Sequence, residues 1–128
     1  MFKISPVQAT DTSKKYLAEC DAEFKDGAFV YSMTDIESGE LMGISQFEIL
    51  GDEGVIFNIC AAPGKADDEA MFILGRQTMN FIDKCGAHVC KAEKSASDAD
   101  FMRKIGFKEQ DGAYICDMHG MFEGHCSH

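Results

Sequence analysis

Basic residues are scarce in this chain: 12 Lys and Arg stand against 22 Asp and Glu, a formal charge of −10. There is no basic run, and aromatic residues are not interleaved with Lys or Arg. So acidic a chain repels phosphate-rich partners, so neither nucleic acid nor an anionic membrane is an expected partner. No apolar stretch approaches the ~20 residues that cross a bilayer. The opening residues, MFKISPVQATDT, lack the apolar core of a secretory leader, and the expected location is the cytoplasm. The six cysteines (Cys20, Cys60, Cys85, Cys90, Cys116 and Cys126) form no CxxC pair. In that compartment they are expected as thiols or ligands rather than disulfides. Cys60 and Cys90 lie in apolar runs, where cysteine acts as a small hydrophobe. Internal repeats, linkers and low-complexity segments are also missing.

What is present fits one domain of 128 residues, with 45% hydrophobic and 27% charged residues. Such a chain buries roughly two thirds of its unfolded surface, enough for one core. Phe2 to Ile4 reads as a short strand. A helix capped at Thr10 or Asp11 carries Tyr16, Leu17, Cys20 and Phe24 at helical spacing, and Lys25-Asp26-Gly27 ends it. Ala28 to Thr34 and Leu41 to Leu50 read as a hairpin. Val55 to Ala62 is nearly unbroken apolar sequence, as for a central strand buried on both faces. Asp67 to Cys85 is the longest helix, with Met71, Leu74, Thr78, Phe81, Ile82 and Cys85 on one stripe and Gly86 just past its end. A strand at Ala87 to Lys91 follows. Ser97 and Asp100 have capping-box spacing ahead of Phe101, Met102 and Ile105. Lys108 to Met118 reads as a last hairpin or bent strand around Gln110-Asp111-Gly112. The order implies an α+β domain, a central, mostly antiparallel twisted sheet flanked by helices.

Three segments carry a resemblance. GELMGI (Gly39 to Ile44) resembles a glycine-bearing hairpin, VIFNICAAP a strand that ends beside a cofactor, and DFMRKIGF (Asp100 to Phe107) a short helix closing on Gly-Phe. Together, from Ala28 to about Met118, the chain resembles the GNAT-type N-acetyltransferases. The resemblance implies an acyl-CoA N-acyltransferase fold and acetyl-CoA as cofactor. In that family the fourth strand splays from the fifth, and unpaired backbone groups bond the pantetheine arm. Ile59, Cys60 and Ala61 are the matching positions here. A loop of the form Arg/Gln-x-x-Gly-x-Gly/Ala then presents N–H groups to the pyrophosphate at a helix start.

In this chain that loop reads Lys65-Ala66-Asp67-Asp68-Glu69-Ala70. Lys65 takes the basic position, Ala66 follows it, Asp68 replaces the central glycine, and Ala70 takes the last small position. A carboxylate ~6 Å from a phosphate charge costs ~0.7 kcal/mol in water and ~3 kcal/mol at an effective dielectric of ~20. Acidic first turns also stabilise a helix in their own right. Met102 stands where the family often has a general-acid tyrosine. Glu48 and Glu53 are the candidate general bases, against their ordinary reading as solvated residues, and Tyr114 is the candidate hydroxyl. An N–H near Ile59 to Ala61 would stabilise the oxyanion.

Three of the four histidines fall in the last ten residues, as Cys116-x-x-His119-x5-His125-Cys126-x-His128. Cys116, His119, His125, Cys126 and His128 are candidate zinc ligands, against the alternative of a polar tail beside a buried Cys116. Cys126 between two histidines is also a candidate reactive thiol. His88 stands alone at the start of a strand and reads as structural.

Three functions follow. The first is acyl transfer from acetyl-CoA to a small-molecule amine or a peptide acceptor. The second is a non-catalytic binding or homodimerising protein of the same fold. The third is a metal- or redox-responsive protein using residues 119 to 128.

Overall fold

A computed structural model describes residues 1–122. Seven strands and three helices follow in the order β1 (Phe2–Pro6), α1 (Thr10–Glu19), β2 (Phe29–Asp35), β3 (Leu41–Leu50), β4 (Glu53–Ala61), α2 (Asp68–Lys84), β5 (Val89–Ala92), α3 (Ala99–Ile105), β6 (Lys108–Gln110) and β7 (Ala113–Asp117). The strands form one sheet in the order β1-β2-β3-β4-β5-β7-β6. Every neighbouring pair is antiparallel except β4 and β5, which α2 connects as the crossover a parallel pair requires. The expected α+β class, with a mostly antiparallel sheet and flanking helices, is the observed one.

α2 and α3 cover one face of the sheet. Leu74, Met79 and Ile82 of α2, with Met102 and Ile105 of α3, pack against Phe47, Ile56 and Ile59 in one continuous core. α1 covers the other face, where Leu17 and Cys20 meet Val30 and Ile44. Each fully buried Leu or Ile contributes ~1.5–3 kcal/mol by leaving water. The strand VIFNICA is therefore apolar except at Asn58, because both faces of its sheet are covered.

Several boundaries differ from the sequence reading. Ala9, not Thr10 or Asp11, is the N-cap of α1, with no side-chain cap bond, and β4 begins at Glu53 rather than Val55. α1 stops at Glu19, before Phe24. Asp21 adopts a left-handed φ of 58°, and Ala22 N–H donates back to Leu17 C=O at 2.8 Å. That closing bond ends a helix even though the apolar spacing continues. Phe24 still packs beside the α1 cluster, but from a loop. α3 is capped by Asp98, not by a box starting at Ser97. β5 begins at Val89, with Ala87 and His88 ahead of it. At the last hairpin, the bent-strand alternative gives way to two strands joined through Asp111 and Gly112, both at positive φ (52° and 79°).

Close approach fixes two glycines. A Cβ on Gly54 would lie 2.4 Å from Cγ2 of the fully buried Ile82. One on Gly75 would lie 3.1 Å from Ile105. A glycine inside α2 costs about 1 kcal/mol in propensity, and its packing against α3 offsets that. Gly54→Ala should lower the unfolding free energy by about 1–3 kcal/mol through overpacking, read as a lower urea midpoint with an unchanged slope.

Candidate active site

β4 and β5 pair only from Glu53↔Val89 to Ile56↔Ala92. Beyond that point they part. The cause lies partly on β4 itself. Asn58 pairs with Gln46 but Ile56 with Phe47, so Phe57 is an extra residue, a β-bulge. Past the bulge the backbone alternation is fixed. Ala62 N–H donates to Met42 C=O at 2.8 Å. Antiparallel alternation then turns the Cys60 and Asn58 groups to β3, and those of Ile59 and Ala61 toward the gap.

The two amides in the gap have different fates. Ile59 N–H donates to Ala96 C=O at 2.9 Å. By that alternation Ala61 N–H is turned away from β3, and among the described residues it meets no loop or turn carbonyl. It faces a cleft of about 470 Å³ lined by Ile59 to Ala61, Ala66 to Asp68, Ser95 to Asp98, and Phe101 and Lys104 of α3. That volume is in the range of small-molecule sites.

The charge lining this cleft is mostly negative. Asp67, Asp68, Asp98 and Asp100 supply four carboxylates and Lys104 one ammonium. Two of the acids are helix caps. Asp67 Oδ1 accepts from Ala70 N–H at 3.0 Å, and Asp98 Oδ1 accepts from Phe101 N–H at 2.9 Å. Each carboxylate occupies a donor that an incoming anion would otherwise use. Lys65 is turned away, donating from Nζ to Glu40 at 2.8 Å. That hydrogen bond, with the charge behind it, holds the Glu40 carboxyl below its ordinary value. The open β4 amide therefore suits the amide-rich arm of an acyl-CoA, whereas the start of α2 does not suit its pyrophosphate.

Of the candidate cofactor residues, Ile59, Cys60, Ala61, Ala66 and Asp68 come together at the cleft. Lys65 points to Glu40, and Ala70 is buried in the first turn of α2. The candidate catalytic residues are not gathered there. Glu53 opens β4 beside Lys91, whose Nζ lies 3.3 Å from its carboxylate. Six residues of strand, roughly 20 Å, separate it from Ile59. Glu48 is opposite Val55, roughly 13 Å along the strand from Ile59. Tyr114 is buried next to Ala92, at the root of the parting strands, with Lys94 Nζ 4.9 Å above its ring. Met102, in the tyrosine position, is fully buried.

Sequence reasoning missed two participants. The Ala96 carbonyl is a backbone group without a side-chain signature. Gln46 is fully buried: its Nε2 donates to Glu23 C=O at 2.9 Å and to Asn58 Oδ1 at 2.8 Å, and its Oε1 accepts from Lys25 N–H at 2.7 Å. It ties the loop after α1 to β3 and β4 beside the bulge. An amide inside the strand segment ISQFEIL was the available signal, since a buried polar group needs partners.

Burial, with Asp21 adding, pushes the Cys60 thiol up, so it stays protonated and is a poor nucleophile at neutral pH. Burial also raises Cys116, while His119 sits exposed with Nδ1 2.6 Å from Asp117. Among the described residues no three His, Cys, Asp or Glu side chains are grouped to hold a metal. His125, Cys126 and His128 lie outside the described residues. No described helix is long and apolar enough to cross a membrane.

Comparison with solved structures gives this architecture its class. The chain is similar to the ribosomal-protein-S18-alanine N-acetyltransferase of Escherichia coli (21% identity, 90% of this chain and 91% of that one, TM-score 0.69). It is also similar to a Bacillus subtilis acetyltransferase in complex with CoA (13%, 91% and 99%, TM-score 0.71). A third likeness is to the PaiA N-acetyltransferase of Thermoplasma acidophilum, also with CoA (12%, 88% and 96%, TM-score 0.61). The fold is that of the GNAT-type N-acetyltransferases. No protein-family model matches the sequence, and no curated protein does.

Removing the Asp67 cap should destabilise the fold by about 1 kcal/mol, the usual cost of an N-cap carboxylate. Asp67→Ala tests this by denaturant unfolding; an unchanged midpoint would mean the cap bond is not formed in solution.

Proposed function

We propose that this chain is an acyl-CoA-dependent N-acyltransferase, moving an acetyl group from acetyl-CoA to an amine. One observation carries the reading: the unpartnered Ala61 N–H on the arm of β4 that leaves β5. Ala61 is half-buried at the cleft wall, so its donor is open to water in the free chain and to a ligand carbonyl in the bound one. The fold's solved relatives from Bacillus subtilis and Thermoplasma acidophilum, both in complex with CoA, support the same reading.

Bound acetyl-CoA would supply a thioester carbonyl open to attack by an amine. The chain's own residues would do the rest. Ala61 N–H would donate to a carbonyl of the bound arm and hold it along β4. The acids of the cleft, on a chain whose net charge is −10, would draw a cationic amine, whether a small molecule or a peptide N-terminus. Tyr114, Glu48 and Glu53 all lie outside the lining of the cleft, so none of the three is assigned a catalytic role.

A second reading has its own observation. Asp67 caps α2 with its carboxylate, and Lys65 is bound to Glu40, as in a site that no longer receives a pyrophosphate. The fold would then serve to bind or to dimerise.

Thermal unfolding of the chain with acetyl-CoA and with free CoA separates the two. The enzyme reading expects a saturable rise in midpoint, worth about 2.7 kcal/mol at a hundredfold excess over Kd. A flat response at millimolar ligand would leave the second reading.

A further inference from the structure

His88 lies just ahead of β5 and His119 just past β7, 31 residues apart in the chain. The antiparallel register joins them: Val89 pairs with Asp117, and Met118 N–H donates to His88 C=O at 2.7 Å. Their rings lie 5.1 Å apart between centroids, tilted by 40°. Each ring is held at the same nitrogen. His88 Nδ1 is 2.6 Å from Asp83 Oδ1, and His119 Nδ1 is 2.6 Å from Asp117 Oδ1. With a carboxylate accepting at each Nδ1–H, the Nε2 lone pair of each neutral ring is left for another partner. The His88 and His119 side chains are 42% and 66% exposed, so both rings meet solvent.

We propose that His88 and His119 form a surface site for a divalent transition-metal ion, with Asp83 and Asp117 as positioning residues. Imidazole suits zinc, nickel and copper ions. Histidine ligands characteristically donate their other ring N–H to a carboxylate, which fixes the tautomer and raises basicity. Both histidines have that arrangement. The ring spacing also agrees. With metal–nitrogen bonds of about 2.0–2.1 Å, a ring centre lies about 3.2 Å from the metal, so two tetrahedral ligands place their centroids about 5 Å apart. Two histidines with water completing the shell make an open site, distinct from a closed four-ligand structural zinc. The pair sits at the start of β5, whereas the cleft begins at its other end, so the site is independent of acyl transfer.

Isothermal titration of the full chain with Zn²⁺ tests the proposal. The chain and its C126S variant should each bind one equivalent alike. His88→Ala and His119→Ala should each weaken binding by roughly tenfold or more, and Asp83→Asn by ~10–100-fold. His88→Gln, closer in volume, should match the alanine variant if the ring nitrogen is the ligand. ¹⁵N spectra of the rings should show both Nε2 resonances moving with Zn²⁺ while the Nδ1 protons persist. Wild-type affinity in the His88 variants would overturn the site, as would binding lost in C126S or no saturable binding at all.

Discussion

The backbone of β4 divides its hydrogen bonds unequally, and most of the structure follows from that division. From Glu53 to Ile56 it pairs on both sides. After the Phe57 bulge it pairs only with β3, and its other edge opens on the cleft. That opening needs support on both faces of the sheet. On one, Ile59 and Ile56 are locked under α2 and α3. On the other, Gln46 reaches across to Asn58 and holds the loop after α1 against the strands. The turn after β5 closes one amide through Ala96 and leaves the next one open. A small number of backbone groups therefore decides where a ligand can sit.

Charge works against the same site. The helix dipole of α2 makes its start attractive to anions, but the chain fills that position with its own carboxylates. Asp67 takes the donor at Ala70, Asp98 does the same at α3, and Lys65 is spent on Glu40. The outcome is a cleft whose amide edge offers an open donor while its acidic mouth resists phosphate. The tension is local to residues 65 to 70. Elsewhere the polar interior is satisfied, as in the 2.7 Å bond between Ser45 and Thr78.

How much of this was legible depends on the range of the interaction. α2 was readable because its stripe, its acidic start and Gly86 are all local signals. The β2–β3 hairpin and the last hairpin were readable for the same reason. The end of α1 was not, because apolar spacing continues to Phe24 while a left-handed Asp21 stops the helix. The α3 cap moved by one residue, from Ser97 to Asp98, since both positions have a capping side chain and only backbone geometry chooses. The cleft's wall at Ile59 to Ala61 came from the resemblance. Distances from Glu48, Glu53 and Tyr114 to that wall depend on register, which spacing does not encode. His88 read as solitary for that reason: its neighbour is 31 positions away, brought in by the β5–β7 pairing.

The central claim is that Ala61 presents an open amide to the cleft while its neighbours on β4 are spent. Residue-resolved amide hydrogen exchange measures this directly. In the free protein Ala61 N–H should exchange far faster than the N–H groups of Ile59 and Cys60, and acetyl-CoA should slow Ala61 selectively. Equal protection at all three amides without ligand would contradict the account, because β4 would then have no open edge for a cofactor.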